Sequence, residues 1–221
     1  MEKSVIIFGY GDFGQVAYSY LTNDSEYDVI GFTAHKEKID RDAIFDLPII
    51  PFEEIEKKYS PKEISLFIAI PYTNLNQVRA KIFHQVKEKG FNLISYVNSN
   101  AIVSNDVKIG DNCFILENNV IQPFVTIGDD VILWSGNHIG HHSKIGDHCF
   151  IASQVVISGK VTIEPFCFLG VNSTIRDGIH IERKNVIGAG AIILKDTKEN
   201  QVYTSKSTTL LNIKSEDLKG I

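Results

Sequence analysis

From Val103 to Ile193 every sixth residue is Val, Ile or Leu, without a break. The series runs Val103, Ile109, Ile115, Ile121 and on through Ile181, Ile187 and Ile193, sixteen positions in all. Neither the 3.6-residue period of a helix nor the two-residue period of a strand produces this spacing, so the stretch is an internal repeat. Four residues after each aliphatic stands a slender, uncharged side chain, as at Cys113, Asn119, Val125, Val131, Ser143 and Cys149. Two and three residues after it stand Asn, Asp, Gly, Ser or His, which favour turns. Each hexad therefore predicts a short strand and a corner, with the aliphatic and the slender residue turned inward.

A period of 18 lies inside the period of six. The residues just before the aliphatics fall into three files. One is Phe114, Ile132, Phe150, Phe168, Val186. Another is Lys108, Thr126, Lys144, Thr162, His180. The third is Val120, His138, Val156, Thr174, Ile192. Three hexads thus make one turn of a three-sided coil, with about five coils stacked at the roughly 4.8 Å spacing of neighbouring strands. The Phe114 file is too apolar to face water. It predicts an oligomer face, and three-fold closure suits a three-sided prism; cover by the N-terminal half or the tail is the other solution.

The first half carries a different pattern. Ser4–Phe8 reads as a buried strand, followed by Gly9, Tyr10, Gly11, Asp12, Phe13 and Gly14, and then by helical spacing over Gln15–Leu21. Strands are expected at Asp28–Phe32, Ile64–Ile70 and Leu93–Tyr96, and helices at Phe52–Tyr59 and Asn76–Lys89. The result is a Rossmann-like βαβ domain over residues 1–98, a coil over 99–196 and an unassigned tail over 197–221. Strand, glycine-rich loop and helix together present backbone N–H groups to a phosphate. NAD is disfavoured: Thr33-Ala34-His35 stands where an acidic residue would hold the ribose, and the domain is short for a dinucleotide.

Composition narrows the function. The net charge is −5 and no basic cluster occurs, which argues against nucleic acid as partner. The apolar run in MEKSVIIFG is too short for a signal peptide or a membrane span, so a soluble, cytoplasmic chain is expected. The three cysteines, Cys113, Cys149 and Cys167, all occupy the inward column and read as packing groups. Four of the seven histidines lie between 138 and 148. His138 belongs to an outward file and reads as an interface or pocket-wall residue. His148 sits beside Asp147 in a corner expected to be solvated. His141 and His142 share another corner, and Gly159 follows His141 by 18, one coil away on that same corner.

The repeated [LIV]-G-x-x-x-x hexad resembles the left-handed β-helix of the hexapeptide-repeat acyltransferases. The two halves together resemble the PglD-like sugar N-acyltransferases, which acetylate an amino sugar carried on a nucleotide in glycan or O-antigen synthesis. The resemblance implies a homotrimer with acetyl-CoA in a groove between subunits, and neither a metal nor NAD. It implies that residues 9–14 cradle the nucleotide-sugar diphosphate. The family motif H-x-C-x-I-G falls on His141-His-Ser-Lys-Ile-Gly146, which makes His141 the general base. Gly159 takes the place of the oxyanion donor beside the thioester. CoA would pass Gly159, Gly188, Ala189 and Gly190, with Lys195 meeting a phosphate.

The chain departs from the family at Phe13, where members often carry His, and at His142, where they often carry Glu or Asp. No carboxylate stacks on the His141 corner in this reading. Its orienting group is then expected to be a backbone carbonyl, or Glu117 or Asn118 of an adjacent subunit. A sugar O-acetyltransferase and a non-catalytic structural homologue are the alternatives. A zinc hydratase of related architecture needs histidines two coils apart, and Asn105 and Asp106 stand there instead.

Overall fold

The computed structural model describes residues 3–206, 210 and 214. The N-terminal half is built around β1 (Lys3–Phe8), whose Val5, Ile6, Ile7 and Phe8 are buried on both faces, as a central parallel strand requires. After the glycine-rich loop comes α1 (Asp12–Asn23), then β2 (Tyr27–Ala34), β3 (Ala43–Ile44), β4 (Leu47–Pro51), α2 (Ile55–Lys58), β5 (Ser65–Ile68), α3 (Gln77–Glu88) and β6 (Asn92–Leu93). The sheet order is β3-β4-β2-β1-β5-β6, parallel except for the β3–β4 pair.

Three local expectations change. Helix α1 starts at Asp12, inside the glycine motif, with Gly11 as its N-cap. The helix expected over Phe52–Tyr59 shrinks to a 3₁₀ turn at Phe52–Glu54 and a single α-turn, and β3 and β4 occupy a stretch that the pattern left blank. The strand expected over Leu93–Tyr96 divides. Asn92–Leu93 pairs with β5, whereas Tyr96–Val97 pairs with Phe114–Ile115 as the first strand of the coil. Ser95 marks the crossing: its hydroxyl donates to the Gly110 carbonyl and accepts from the Cys113 amide.

The coil follows the lattice of 18. Phe114, Ile132, Phe150, Phe168 and Val186 pair in one register, Val120, His138, Val156, Thr174 and Ile192 in another, and Lys108, Thr126, Lys144, Thr162 and His180 in the third. All strands of this parallel β-helix are two residues long. From Ile115 to Ile193 every sixth aliphatic is no more than 6% exposed; only Val103 and Ile109, at the open first coil, are half-buried. The third residue after most aliphatics turns the corner in the left-handed region, with φ near 60° at Asn118, Asp130, His142, His148 and Lys160. Asn and Gly tolerate that region best, which accounts for the polar corners in the repeat. Val202–Tyr203 adds a strand against Val186–Ile187, so pairing continues beyond residue 196. Most of the tail past residue 206 lies outside the described residues.

The Phe114 file is covered from within the chain, which corrects its reading as an oligomer face. Phe114 is 1% and Ile132 2% exposed, in one cluster with Val5, Leu21, Phe32 and Phe67 of the first domain. Phe67 meets Phe114 edge-on at 5.2 Å, and Tyr72 lies 5.0 Å from both Phe150 and Phe168. Polar latches flank this apolar seam. The Tyr20 hydroxyl donates to Glu117 Oε2 at 2.7 Å and the Tyr96 hydroxyl to Asp24 Oδ2 at 2.6 Å. Burial and then the Glu117 carboxylate push the Tyr20 hydroxyl up to about 12. His148 also belongs to this seam rather than to solvent. It is buried, its Nδ1 lies 2.8 Å from Asp130 Oδ2, and Phe83 and Phe166 pack on its ring.

Candidate active site

His141 stands at the corner between the Val120 file and the Thr126 file. Its amide donates to Gln122 Oε1 at 2.9 Å, and its carbonyl accepts from the Lys160 amide at 2.8 Å. The imidazole lies over Gly159: a Cβ added to that glycine would sit 2.9 Å from both Cε1 and Nε2. Any other residue would therefore push the ring aside. Gly159 is buried, and its N–H meets no acceptor among the described residues. With no side chain on Gly159, the imidazole lies directly over its backbone. An imidazole and a backbone N–H next to one another can supply the proton acceptor and the oxyanion donor that acyl transfer requires.

Within a single chain the ring partner of His141 is another histidine. His141 Nδ1 lies 3.1 Å from His142 Nδ1, with the two rings perpendicular. For Nε2 to carry a free lone pair, His141 must keep its proton on Nδ1 and donate it to His142 Nδ1. His142 sits at φ 60°, its ring 4.6 Å from that of Phe124. Asp106 lies two coils back in the His142 column and accepts from the Phe124 amide at 2.6 Å. Ser104 most of all, and His142 among the lesser contributors, hold its carboxyl below the usual range. Glu117 is already engaged: its oxygens accept from Ser135 and Tyr20 of its own chain. Burial works against its charge, yet those hydrogen bonds keep it below the ordinary carboxylate value.

The corner also holds a carboxylate that stacking by single coils does not reveal. Asp177 lies one coil beyond Gly159, and its Oδ1 is 3.1 Å from the position where a Gly159 Cβ would be. Imidazole and carboxylate lean toward the same bare glycine from opposite sides. Lys195 stands in the same column, one coil farther on, and is exposed. Gly188, Ala189 and Gly190 occupy a different corner, between the Phe114 and Val120 files. There the Ser205 hydroxyl donates to the Ala189 carbonyl at 2.8 Å, and Gly190 adopts φ 67°. A single chain thus brings His141, Gly159 and Lys195 onto one corner and keeps residues 188–190 a full face away.

The glycine-rich loop borders a cavity of about 580 Å³ lined by Gly9, Gly11, Asp12, Phe13, Gly14, Val16, Ala69, Ile70, Pro71 and Trp134. Gly9 is obligatory: its φ is 104°, and a Cβ would sit 2.7 Å from the Ala69 carbonyl oxygen. Tyr10 is the one motif residue turned away, its hydroxyl donating to the Lys38 carbonyl. No cation among the described residues lines the cavity, so an anion there would rely on the uncapped amides of α1. Phe13 stacks on Trp134, centroids 5.6 Å apart. A second cavity of about 290 Å³ shares Phe13, Pro71 and Trp134 and continues past Tyr72, Phe150 and Phe168 to Ser153 and Val171. Sequence reasoning missed Trp134, Pro71 and Tyr72, because only the docking of the two halves makes them neighbours. Ser153 and Val171 share the column of Ala189, so the groove ends at that corner.

Residues 4–86 match the family described as the PglD N-terminal domain. Residues 124–159 match the bacterial transferase hexapeptide repeat, and residues 160–195 match the hexapeptide repeat of succinyl-transferase. The chain is a PglD-like hexapeptide-repeat acyltransferase. Its coil is accordingly the left-handed β-helix of that group. Solved structures share the whole architecture. The acetyltransferase domain of PglB from Neisseria gonorrhoeae is 20% identical, with 92% of this chain and 97% of that one covered and a TM-score of 0.79. PerB from Caulobacter crescentus, in complex with CoA and GDP-perosamine, is 22% identical, with 93% and 95% covered and a TM-score of 0.82. WeeI from Acinetobacter baumannii is 16% identical, with 90% and 95% covered and a TM-score of 0.70. No described helix of this acyltransferase is long and apolar enough to cross a membrane.

Proposed function

We propose that this acyltransferase moves an acetyl group from acetyl-CoA to the amine of an amino-deoxy sugar carried on a nucleotide. The observation that carries the reading is Gly159 beneath the His141 imidazole, its N–H without an acceptor among the described residues. His141 Nε2 accepts a proton from the amine as nitrogen attacks the thioester carbon. The Gly159 N–H donates to the oxyanion that forms. The C–S bond then breaks, and the proton passes from His141 to the departing CoA sulfur. His142 holds the His141 ring. The uncapped start of α1, within residues 9–14, receives the diphosphate, and the groove along Trp134 takes the sugar. Ligands of the structural neighbours agree with this reading: PerB was solved with CoA and GDP-perosamine, and the PglB domain with acetyl coenzyme A. The perosamine enzyme was also studied with a histidine replaced by asparagine or by alanine.

The working unit in this proposal is a homotrimer. The acceptor groove ends on the Ser153–Val171–Ala189 corner, whereas His141 stands on the next corner, across the Val120 file. That intervening face is apolar and open, with Ile102 69%, Val156 39% and Ile192 65% exposed. Three such faces closing around an axis would bring the groove of one subunit to the His141 corner of another, with residues 188–190 and Lys195 flanking CoA between them.

The test is acetyl transfer from acetyl-CoA to a panel of 3- and 4-amino-6-deoxy nucleotide sugars and their hydroxyl counterparts. Transfer to amines, lost by roughly 10²–10⁴-fold in a folded His141→Ala variant, is the expected result. Transfer to hydroxyls alone would make it an O-acetyltransferase. Near wild-type rates in His141→Ala would overturn the assignment of the base.

A further inference from the structure

The first turn of α3 contributes a guanidinium with no exposure to solvent. Arg79 Nε donates to Asp130 Oδ1 and Nη2 to the Asp130 carbonyl, both at 3.0 Å, and Nη2 also reaches the Cys149 carbonyl at 3.3 Å. All of these acceptors belong to the coil. Nη1 turns the other way, toward the segment between β5 and α3. It donates to Asn76 Oδ1 at 3.2 Å and lies 3.4 and 3.5 Å from the carbonyls of Ile70 and Pro71. Asn76 closes the circuit by donating from Nδ2 to the Cys167 carbonyl at 3.3 Å. Asp130 is steadied in turn by Asn112 Nδ2 at 2.7 Å and His148 Nδ1 at 2.8 Å.

This segment is held in an unfavourable shape. Asn74, Leu75 and Asn76 have φ of 51°, 49° and 65°, three successive left-handed residues, none of them glycine. Such runs persist only where the surroundings over-determine them, and they gather at functional sites. Ile70 and Pro71 line the glycine-loop cavity, Pro71 and Tyr72 line its continuation, and Phe150 and Phe168, each next to a clamped cysteine carbonyl, form the facing wall.

We infer that Arg79 is a positioning residue for the acceptor site: through Asn76 and Asp130 it fixes the gap between the Ile70–Tyr72 wall and the Trp134–Phe150 wall, and so the fit of the nucleotide sugar. The identity of the ligand rests on the function proposed above; the geometry does not. A lysine at 79 would keep the charge but lose the fork that reaches coil and segment together. Asn76→Gly suits the left-handed backbone and removes only the bridging amide.

Trp134 is the sole tryptophan and lines both cavities, so its fluorescence reads the groove without any turnover. Acrylamide quenching of Trp134 is expected to rise about twofold or more in Arg79→Lys and in Asn76→Gly as the wall loosens. KM for the nucleotide sugar is expected to rise about tenfold in both, with kcat and the KM for acetyl-CoA within about twofold of wild type. If either variant folds but shows wild-type quenching and a wild-type sugar KM, with only its melting temperature lowered, the inference is overturned and Arg79 is merely structural. If Arg79→Lys does not fold, Asn76→Gly decides alone. If the wild type acetylates no nucleotide sugar, the proposed function fails, while the quenching arm still decides the clamp.

Discussion

At the scale of single residues, Gly159 sets the demands of the site. Its missing side chain is the space into which His141 and Asp177 lean, so Gly159→Ala should displace the imidazole without disturbing the coil. A shift of that order in a catalytic group is worth about a hundredfold in kcat, with little change in melting temperature; steady-state kinetics and thermal melts check both halves. The His141–Gly159 pair was legible in the sequence, because a lattice of 18 converts numbers into neighbours. Asp177 was not. A lattice gives the column of a residue but not the direction its side chain takes, and Asp177 crosses the bare glycine to share its space. The contact of His142 with His141 was hidden in the same way, since it depends on the left-handed corner at residue 142.

At the scale of elements, the seam between domain and coil combines an apolar layer with carboxylate latches. Hydrogen bonding from Ser99 and then Tyr96 holds Asp24 below its ordinary value of 3.8, and Ser135 and Tyr20 hold Glu117 below 4.5 against the effect of burial. A carboxyl whose value is depressed by folding stabilises the fold fully above its unfolded value and loses that contribution as pH falls through the folded one. The seam should therefore weaken below about pH 4. Thermal melts of wild type and of an Asp24→Asn/Glu117→Gln double variant should differ at pH 7 and converge toward pH 3. A gap of constant size across that range would show that the carboxylates do not act through their charge. The elements that sequence patterning found best were those with an internal period. It missed β3, β4 and the shortening of α2, because segments of two to five residues, with Pro48 and Pro51 inside β4 itself, carry too few positions to display one. It also assigned the Phe114 file to another subunit, since burial of a stripe is readable from sequence whereas the identity of its cover is not.

At the scale of the whole molecule, the proposed function needs two chains at each site. Val156→Asp on the open face should yield monomers by sedimentation and lose nearly all acetyl transfer, while the fold survives. His141→Ala subunits mixed with Ser153→Tyr subunits should recover activity that neither possesses alone, because some junctions would pair an intact groove with an intact histidine. Absence of recovery in verified mixed trimers would place the whole site within one chain. The fold of residues 103–193 was almost fully written in the repeat, whereas the groove along Trp134 could be seen only once the first domain lay against the coil. The paired strands of that coil are also what constrains change in its length. Removing one residue would turn every inward aliphatic beyond it outward, whereas adding or removing 18 would leave each file, corner and cover in place. Change in the length of such a coil is therefore quantised: its height can alter by one storey at a time, away from the Asp106–Asp177 stretch, without the candidate site having to be rebuilt.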